Sequence, residues 1–424
     1  MIMRILLLPP YFFPEQMAST HLDNDRFTKY SKHDVDAEVI VPTPTRGISE
    51  EIREKYKNIK TEEMFNGHVH VHRFAMFAEG RNPVLRALRY ALTNIVQYQR
   101  GKRCKGIDVV YSGSTPPTQG LLCGQVKKRL IRKYKRYVPY VYCLQDIFPD
   151  SLVNAKMTHE GSLIWRIGRR IENYTYRQAD RIIVISEGFK RNIMAKNVPE
   201  EKIVVIPNWV DTSEIYPIER KDNDIFDKYS LDRGKFYICY SGNIGHSQNL
   251  DLLVEIAGEI ERDMPDVCFV VVGEGVAKED LRAMISQKGL SNFVLLPFQP
   301  YEDIAKVYNI GDVGLIISKP GIGGSSVPSK TWSIMAAGRP ILASFDLDSD
   351  VADLITKLGC GSVARAGDKE SMIKEIKRLY QADRSKIGSI GRNYVINELN
   401  SEKCTEMYLN VLKNVVANNG GACK

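Results

Sequence analysis

A chain of 424 residues is too long for one ordinary core, and at about 150 residues per domain it implies two or three. Its apolar, charged, glycine and proline contents are those of a soluble globular protein, and no low-complexity tract or internal repeat interrupts them. The net charge of +8 is gathered into a few segments, so it speaks for a local anionic partner and not for an evenly basic surface.

Short apolar runs alternate with amphipathic ones along the first half. The pattern predicts a strand at 4–9, a helix at 17–31, strands at 38–41 and 68–74, a helix at 83–100, a strand at 108–111, a helix at 117–133, a strand at 138–144, a helix at 163–177, and strands at 180–186 and 203–206. A second series predicts a strand at 236–241, a helix at 249–261, a strand at 267–272, a helix at 277–288, a strand at 293–297, a helix at 301–310, a strand at 313–318, a helix at 328–337 and a strand at 340–344. Helices dominate beyond residue 350, with one short strand near 362–365. Alternation of this kind makes parallel sheets with right-handed crossovers. The expected fold class is therefore α/β, with two Rossmann-like domains, residues 1–208 and 209–399, joined near 208–217. Ligands of such sheets bind beyond the carboxyl ends of the strands, so a cleft between two facing domains is the expected site.

Eight cysteines form no CxxC pair, and Cys143, Cys239 and Cys268 lie inside apolar runs; they read as reduced, buried thiols of a reducing compartment. The N-terminal residues lack the long apolar stretch of a secretory signal, and no run of about 18 apolar residues is available to cross a bilayer. Lys127, Lys128, Arg129, Arg132, Lys133, Lys135 and Arg136 make a dense basic run. Arg81, Arg86, Arg89 and Arg100 mark a second, in a helical segment that also carries Val84, Leu85, Leu88, Leu92, Ile95 and Val96. Basic faces beside apolar ones suit an anionic membrane surface; a solvated helix face gives the same pattern, and no nucleic-acid-binding motif accompanies the charge.

Neither half carries a GxGxxG fingerprint or a P-loop, because Gly242-Asn243-Ile244-Gly245 and Gly321-Ile322-Gly323-Gly324 fail both spacings. Gly242–Gly245 nevertheless follows a strand and precedes a helix, where glycines let backbone N–H groups approach an anion; a plain βα turn reads the same. Residues 321–330 end in Val327-Pro328-Ser329-Lys330 and read as a loop entering a helix. Its N–H groups, hydroxyls and one ammonium would converge on a diphosphate, with a routine N-cap as the alternative. Asp146 closes an apolar strand, where a carboxylate accepts a proton, binds sugar hydroxyls or caps a turn. His68, His70 and His72 share one strand face, but no Cys, Asp or Glu lies nearby in sequence to complete a zinc site.

Four stretches carry a family resemblance: ADRIIVIS with KIVVIPNWVD, VVVGEG, PFQPYEDIAKVYNIGDVGLI and VPSKTWSIMAAGRPILAS, preceded by the opening LLPPYFFPEQMAST. In order and spacing they resemble the family 4 retaining glycosyltransferases of GT-B fold, over nearly the whole chain. The GNIG and PSK patterns resemble the WbuB-like branch that serves capsule, O-antigen and colanic acid assembly. The resemblance implies a transferase of the bacterial cytoplasm, peripherally bound to the inner face of the plasma membrane. Its donor would be a UDP-sugar carrying an N-acetylated amino sugar, and its acceptor a polyprenyl-diphosphate-linked saccharide. It implies a last helical stretch, about 400–424, that crosses back onto the first domain, and because no Asp-x-Asp metal motif is evident, no metal and no cofactor besides the donor is expected.

By the same resemblance Lys330 and the N–H groups around Gly242, Asn243, Gly245, Gly324, Ser325 and Ser326 hold the diphosphate. Phe298 and Gln299 lie at the nucleobase, Ser333 at the ribose, Asp146 beside the reacting sugar, and Glu15, Gln16 and Ser19 toward the acceptor. Lys127, Lys128, Arg129, Arg132, Lys133 and Arg136 dock on the membrane. The chain also departs from the family. Asn243 and Gln248 stand where many members have Arg and Lys, Ser325 and Ser333 where they have paired glutamates, and Met17-Ala18-Ser19 where they have a glycine pair. These losses admit two other readings, a non-catalytic GT-B scaffold and a GT-B nucleotide-sugar epimerase.

Overall fold

The computed structural model describes residues 2–15, 20–80, 82–154, 157–323 and 327–419. They form two compact units, Met1–Pro207 with Ser401–Lys424, and Asn208–Asn400.

The first unit is built on strands β1 (Met3–Leu7), β2 (Val35–Pro42), β3 (Thr61–Met64), β4 (Val69–Phe74), β5 (Val109–Gly113), β6 (Tyr140–Leu144), β7 (Arg181–Val184) and β8 (Ile203–Val205). They lie in the order β3-β4-β2-β1-β5-β6-β7-β8, all parallel except β3, which runs antiparallel to β4. Every residue of β6 is buried, as expected of a central parallel strand covered on both faces. The edge strand β3, Thr-Glu-Glu-Met, alternates exposed and half-buried residues and joins β4 through Phe65, Asn66 and Gly67, all at positive φ. Its helices are α1 (Thr20–Ser31), α2 (Glu50–Tyr56), α3 (Pro83–Gly101), α4 (Thr118–Tyr134), α5 (Asp150–Asn154), α6 (Leu163–Gln178) and α7 (Glu187–Met194). Asn82 caps α3 by accepting from Val84 N at 2.9 Å, with Pro83 in the first turn. Helices α4 and α6 approach closely because Gly120 faces Thr175 and Gly124 faces Gln178; a Cβ at Gly120 would lie 2.3 Å from the Thr175 side chain.

The second unit contains α8 (Ile225–Lys228), β9 (Phe236–Ser241), α9 (Leu250–Asp263), β10 (Val267–Val272), α10 (Lys278–Lys288), β11 (Phe293–Leu296), α11 (Ile304–Tyr308), β12 (Val313–Ile317), α12 (Lys330–Ala336), β13 (Ile341–Phe345), α13 (Asp350–Leu358), β14 (Gly361–Arg365), α14 (Lys369–Gln381) and α15 (Arg384–Glu398). Its sheet is wholly parallel, in the order β11-β10-β9-β12-β13-β14. A final helix, α16 (Ser401–Asn419), belongs to the first unit and packs on α1. Lys29 of α1 pairs with Glu402 and Glu406, the Arg26 guanidinium lies 5.0 Å from the Tyr408 ring, and the Tyr408 hydroxyl meets Cys143 Sγ at 3.4 Å.

Candidate active site

In the second unit the loops after β9 and β10 are locked together by glycines. A Cβ on Gly273 would lie 1.9 Å from the Gly242 carbonyl oxygen, and one on Gly275 would lie 2.1 Å from that of Ile244, so neither position admits a side chain. Gly242 and Gly273 also sit at φ +143° and +157°. This interlock consumes donors assigned above to a diphosphate. Gly242 N donates to Val272 O at 3.0 Å, Ile244 N to Glu274 O at 2.8 Å, and Gly245 N to the Gln248 side chain at 3.1 Å. Gln248, standing where many relatives have a lysine, thus tethers its own loop. Among the described residues the β9 loop's share of the expected cradle narrows to the N–H of Asn243, whose carbonyl accepts from the Tyr240 hydroxyl at 2.7 Å.

Lys330 lies directly against this loop. Its Nζ is 3.9 Å from the centroid of the Tyr240 ring, and a Cβ on Gly242 would approach it to 3.1 Å. No carboxylate pairs with it among the described residues, and burial alone pulls its pKa down to about 7. A desolvated ammonium resting on a ring face is a seat for an anion. The helix it opens, α12, has only 7 residues, so the charge comes from the side chain and not from a helix dipole. Ser333, one turn on, and Ser241 at the end of β9 both hydrogen-bond the Tyr308 hydroxyl, which places Ser333 beside the β9 loop. Phe298 is 70% exposed and free to stack on a flat group. Gln299 is not: its side-chain amide is buried and committed to Lys228, Tyr229 and the Pro297 carbonyl, so it braces its loop. Gly321 and Gly323 give their N–H groups to Asp346 at 2.7–3.0 Å. Gly324, Ser325 and Ser326 lie outside the described residues, as do Gln16 and Ser19.

The first unit holds a cavity of about 270 Å³ at the carboxyl ends of β1, β5 and β6, lined by Tyr11, Arg26, Tyr90, Gln119 and Gln145 among others. Glu15 reaches its wall, but the acceptor role expected of it does not fit. It is 2% exposed and accepts from Phe12, Thr45 and Arg46 N–H groups, so the carboxylate fastens its own loop to the segment at Thr45 and Arg46. Asp146 stands two residues past β6, with Ser114 Oγ accepting from its N–H at 3.2 Å. Partial desolvation raises its pKa while a hydrogen bond from Ser151 opposes the rise.

Residues 29–214 match the Glycosyltransferase Family 4 model and residues 221–394 the Glycosyl transferases group 1 model. The chain is a family 4 glycosyltransferase. It is similar to the probable glycosyltransferase WbjE of Pseudomonas aeruginosa, 24% identical over 75% of this chain and 76% of that one. It is also similar to the putative colanic acid biosynthesis glycosyl transferase WcaI of Escherichia coli, 25% identical over 64% of this chain and 66% of that one. A third relative, from Campylobacter jejuni, is the N-acetylgalactosamine-N,N'-diacetylbacillosaminyl-diphospho-undecaprenol 4-alpha-N-acetylgalactosaminyltransferase, 25% identical over 53% of this chain and 56% of that one. The solved structure of Anabaena HepE in complex with UDP and glucose superposes with a TM-score of 0.69 at 16% identity, over 97% of this chain and 99% of that one, which shows the GT-B fold. The chain is therefore a transferase of polysaccharide biosynthesis in the branch that the sequence resembles.

One expectation about this glycosyltransferase is corrected by its structure. Lys127 belongs to the basic run in sequence only. It is buried, and its Nζ bonds Asp180 Oδ2 at 2.7 Å, Gln178 O at 2.9 Å and Tyr137 OH at 3.1 Å. Arg136 is tied to Asp108 at 2.8 Å, while Lys128, Arg129, Arg132 and Lys133 are exposed on α4. The three histidines do have carboxylates near them, from neighbouring strands: His68 meets Asp36 at 2.9 Å, His72 meets Glu38 at 3.0 Å and His70 meets Glu63 at 3.6 Å. Each histidine takes its own carboxylate, and among the described residues no group of three or more such side chains is placed to hold a metal ion.

Proposed function

We propose that this glycosyltransferase moves an N-acetylated amino sugar, with retention, from a UDP-sugar to a polyprenyl-diphosphate-linked saccharide. The observation that carries the reading is the desolvated ammonium of Lys330 against the Gly242 backbone, which no carboxylate among the described residues pairs with. In the transfer the bond from the anomeric carbon to the diphosphate breaks and negative charge grows on the leaving oxygen. The acceptor hydroxyl attacks the same face, and its proton passes to that oxygen, so no strong general base is needed. Lys330 stabilises the growing charge, a contribution of about 2.7–4 kcal/mol for one well-placed donor. Asp146 orients the sugar or the acceptor, Ser333 lies at the ribose, and Phe298 covers the base.

UDP is supported by the ligand named in the HepE structure, and a lipid-linked acceptor by the name of the Campylobacter relative. A membrane-bound acceptor also suits the surface of the first unit. Val84, Leu85, Leu88, Leu92 and Ile95 form an exposed apolar row along α3, and α4, which packs on α3, exposes Lys128, Arg129, Arg132 and Lys133. An apolar row beside cations suits the headgroup region of an anionic leaflet, and no described helix is long and apolar enough to cross a membrane. The test is transfer of radiolabelled sugar from UDP-GlcNAc and UDP-GalNAc to undecaprenyl-diphosphate-linked monosaccharide, read in the organic phase. Label entering the lipid in the native chain and not in Lys330→Met supports the reading. Hydrolysis or epimerisation of the donor without any lipid product would replace it.

A further inference from the structure

Tyr240 touches both the Lys330 ammonium and the loop that carries the Asn243 N–H. It lies in β9, between β10 and β12 of the parallel sheet, wholly buried and in register with Val271. An interior strand covered on both faces is ordinarily apolar, so a tyrosine here brings a hydroxyl that needs a partner. The partner is local: the hydroxyl donates to the Asn243 carbonyl, three residues on, at 2.7 Å. The ring face is taken by Lys330, whose Nζ lies 3.9 Å from the centroid.

Both contacts are also held from outside. Gly242 N donates to Val272 O at 3.0 Å and Ile244 N to Glu274 O at 2.8 Å, so the residues on either side of Asn243 are pinned to β10 and its loop. With its own carbonyl bound by Tyr240, Asn243 has the direction of its N–H set before any ligand arrives. On the other side, the Tyr308 hydroxyl bonds Ser333, one turn past Lys330 in α12, and Ser241, next to Tyr240 in β9. Helix and strand therefore hold the ammonium and the ring together. Gly242 leaves a gap where they meet: a Cβ there would lie 3.1 Å from Lys330 Nζ and 3.6 Å from the Tyr240 hydroxyl oxygen.

We infer that Tyr240 is a positioning residue of the donor site. Its ring fixes the place of the Lys330 ammonium, its hydroxyl fixes the aim of the Asn243 N–H, and the two converge beside Gly242 on the oxygens of the donor diphosphate. The inference rests on the reading of Lys330 as the diphosphate seat. Tyr240 itself is buried, so it acts through these two groups and not on the substrate. Ring and hydroxyl can be separated. Phenylalanine keeps the ring and drops the hydroxyl, and pentafluorophenylalanine keeps that shape but makes the ring face electron-poor. Such a face repels the ammonium, which swings away or gives up its proton, and the phosphate loses its partner either way.

The test uses the full chain and measures the Kd for UDP by ligand-observed NMR titration at pH 6.5. Position 240 carries Tyr, Phe or pentafluorophenylalanine, each with Lys330 and with Lys330→Met, and circular dichroism confirms folding. Tyr240→Phe raises Kd roughly 3- to 10-fold in both backgrounds, because the lost brace acts through Asn243. Pentafluorophenylalanine raises it a further 10- to 30-fold, roughly, over Phe when Lys330 is present, and not at all in Lys330→Met. A ring with a merely structural role would give Phe and its fluorinated form equal affinity in each background, since their shapes agree. That result overturns the inference, as does native affinity in Tyr240→Phe or a fluorine effect that survives in Lys330→Met. Equal affinity of the native chain and Lys330→Met fails the reading of Lys330 itself and the inference with it. A loss in Lys330→Met without the ring effect fails the inference alone.

Discussion

The Nζ of Lys330 lies 3.9 Å from the centroid of the Tyr240 ring, with no carboxylate to share its charge among the described residues. Burial lowers its pKa to about 7, against 10.5 for an ordinary lysine. Below pH 7 both folded and unfolded chains carry the proton, and the folded chain bears the full penalty of the buried charge. Between pH 7 and 10.5 the unfolded chain binds the extra proton, so this group's contribution to stability rises with pH. The ligand-free Lys330→Met variant is therefore more stable than the native chain near pH 6, and its advantage fades toward pH 10. Melting temperatures of the two proteins across that range check the sign.

The same group sets the pH dependence of donor binding. A UDP-sugar has no phosphate group that titrates near neutrality, so its affinity follows the lysine. Above pH 7 the free protein must first take up a proton to bind. The Kd for a UDP-sugar then rises by up to about ten-fold per pH unit until the pKa of the complex is reached. Calorimetric titrations at pH 6.5, 7.5 and 8.5 measure this slope, and Lys330→Met should flatten it.

The glycine interlock of the second unit makes a stability prediction. Gly275→Ala places a methyl group 2.1 Å from the Ile244 carbonyl oxygen, a backbone atom that cannot swing aside. The loss should be about 1–3 kcal/mol or more, seen as a lower urea midpoint, with UDP affinity falling as the β9 loop shifts. Gly289→Ala, which meets no neighbour but sits at φ +64°, should cost only about 1 kcal/mol and leave UDP binding unchanged.

The basic residues of α4 should separate into two kinds. Lys127→Ala leaves Asp180 without its buried cation and should cost about 3–5 kcal/mol of stability in the first unit. Arg132→Ala with Lys133→Ala should leave stability within about 0.5 kcal/mol but reduce cosedimentation with phosphatidylglycerol vesicles. Leu88→Glu with Leu92→Glu in the exposed row of α3 should weaken binding even at low salt, where charge attraction is strongest.

Elements whose apolar pattern is dense are readable from sequence: β9 at 236–241 and β10 at 267–272 lie where the pattern puts them. The edge strand β3 is not, because Thr-Glu-Glu-Met has one apolar residue and pairs only through a turn at positive φ. Lys330 is legible as the single cation of a loop rich in small residues. That no described carboxylate pairs with it is not, since that depends on which carboxylates the fold keeps away. Glu15, Gln299 and Lys127 mislead in the same way. Each is a polar residue in a suggestive segment whose partners come from distant positions, as Thr45, Lys228 and Asp180 do.

The central claim is that the Lys330 ammonium seats the donor diphosphate. Calorimetric titration of UDP into the native chain and Lys330→Met at pH 6.5 tests it most directly, with circular dichroism confirming that both are folded. The account predicts saturable binding by the native chain and a Kd at least about 30-fold higher in the variant, as truncation of one partner of a buried charge pair requires. Equal affinity in the two proteins would contradict it.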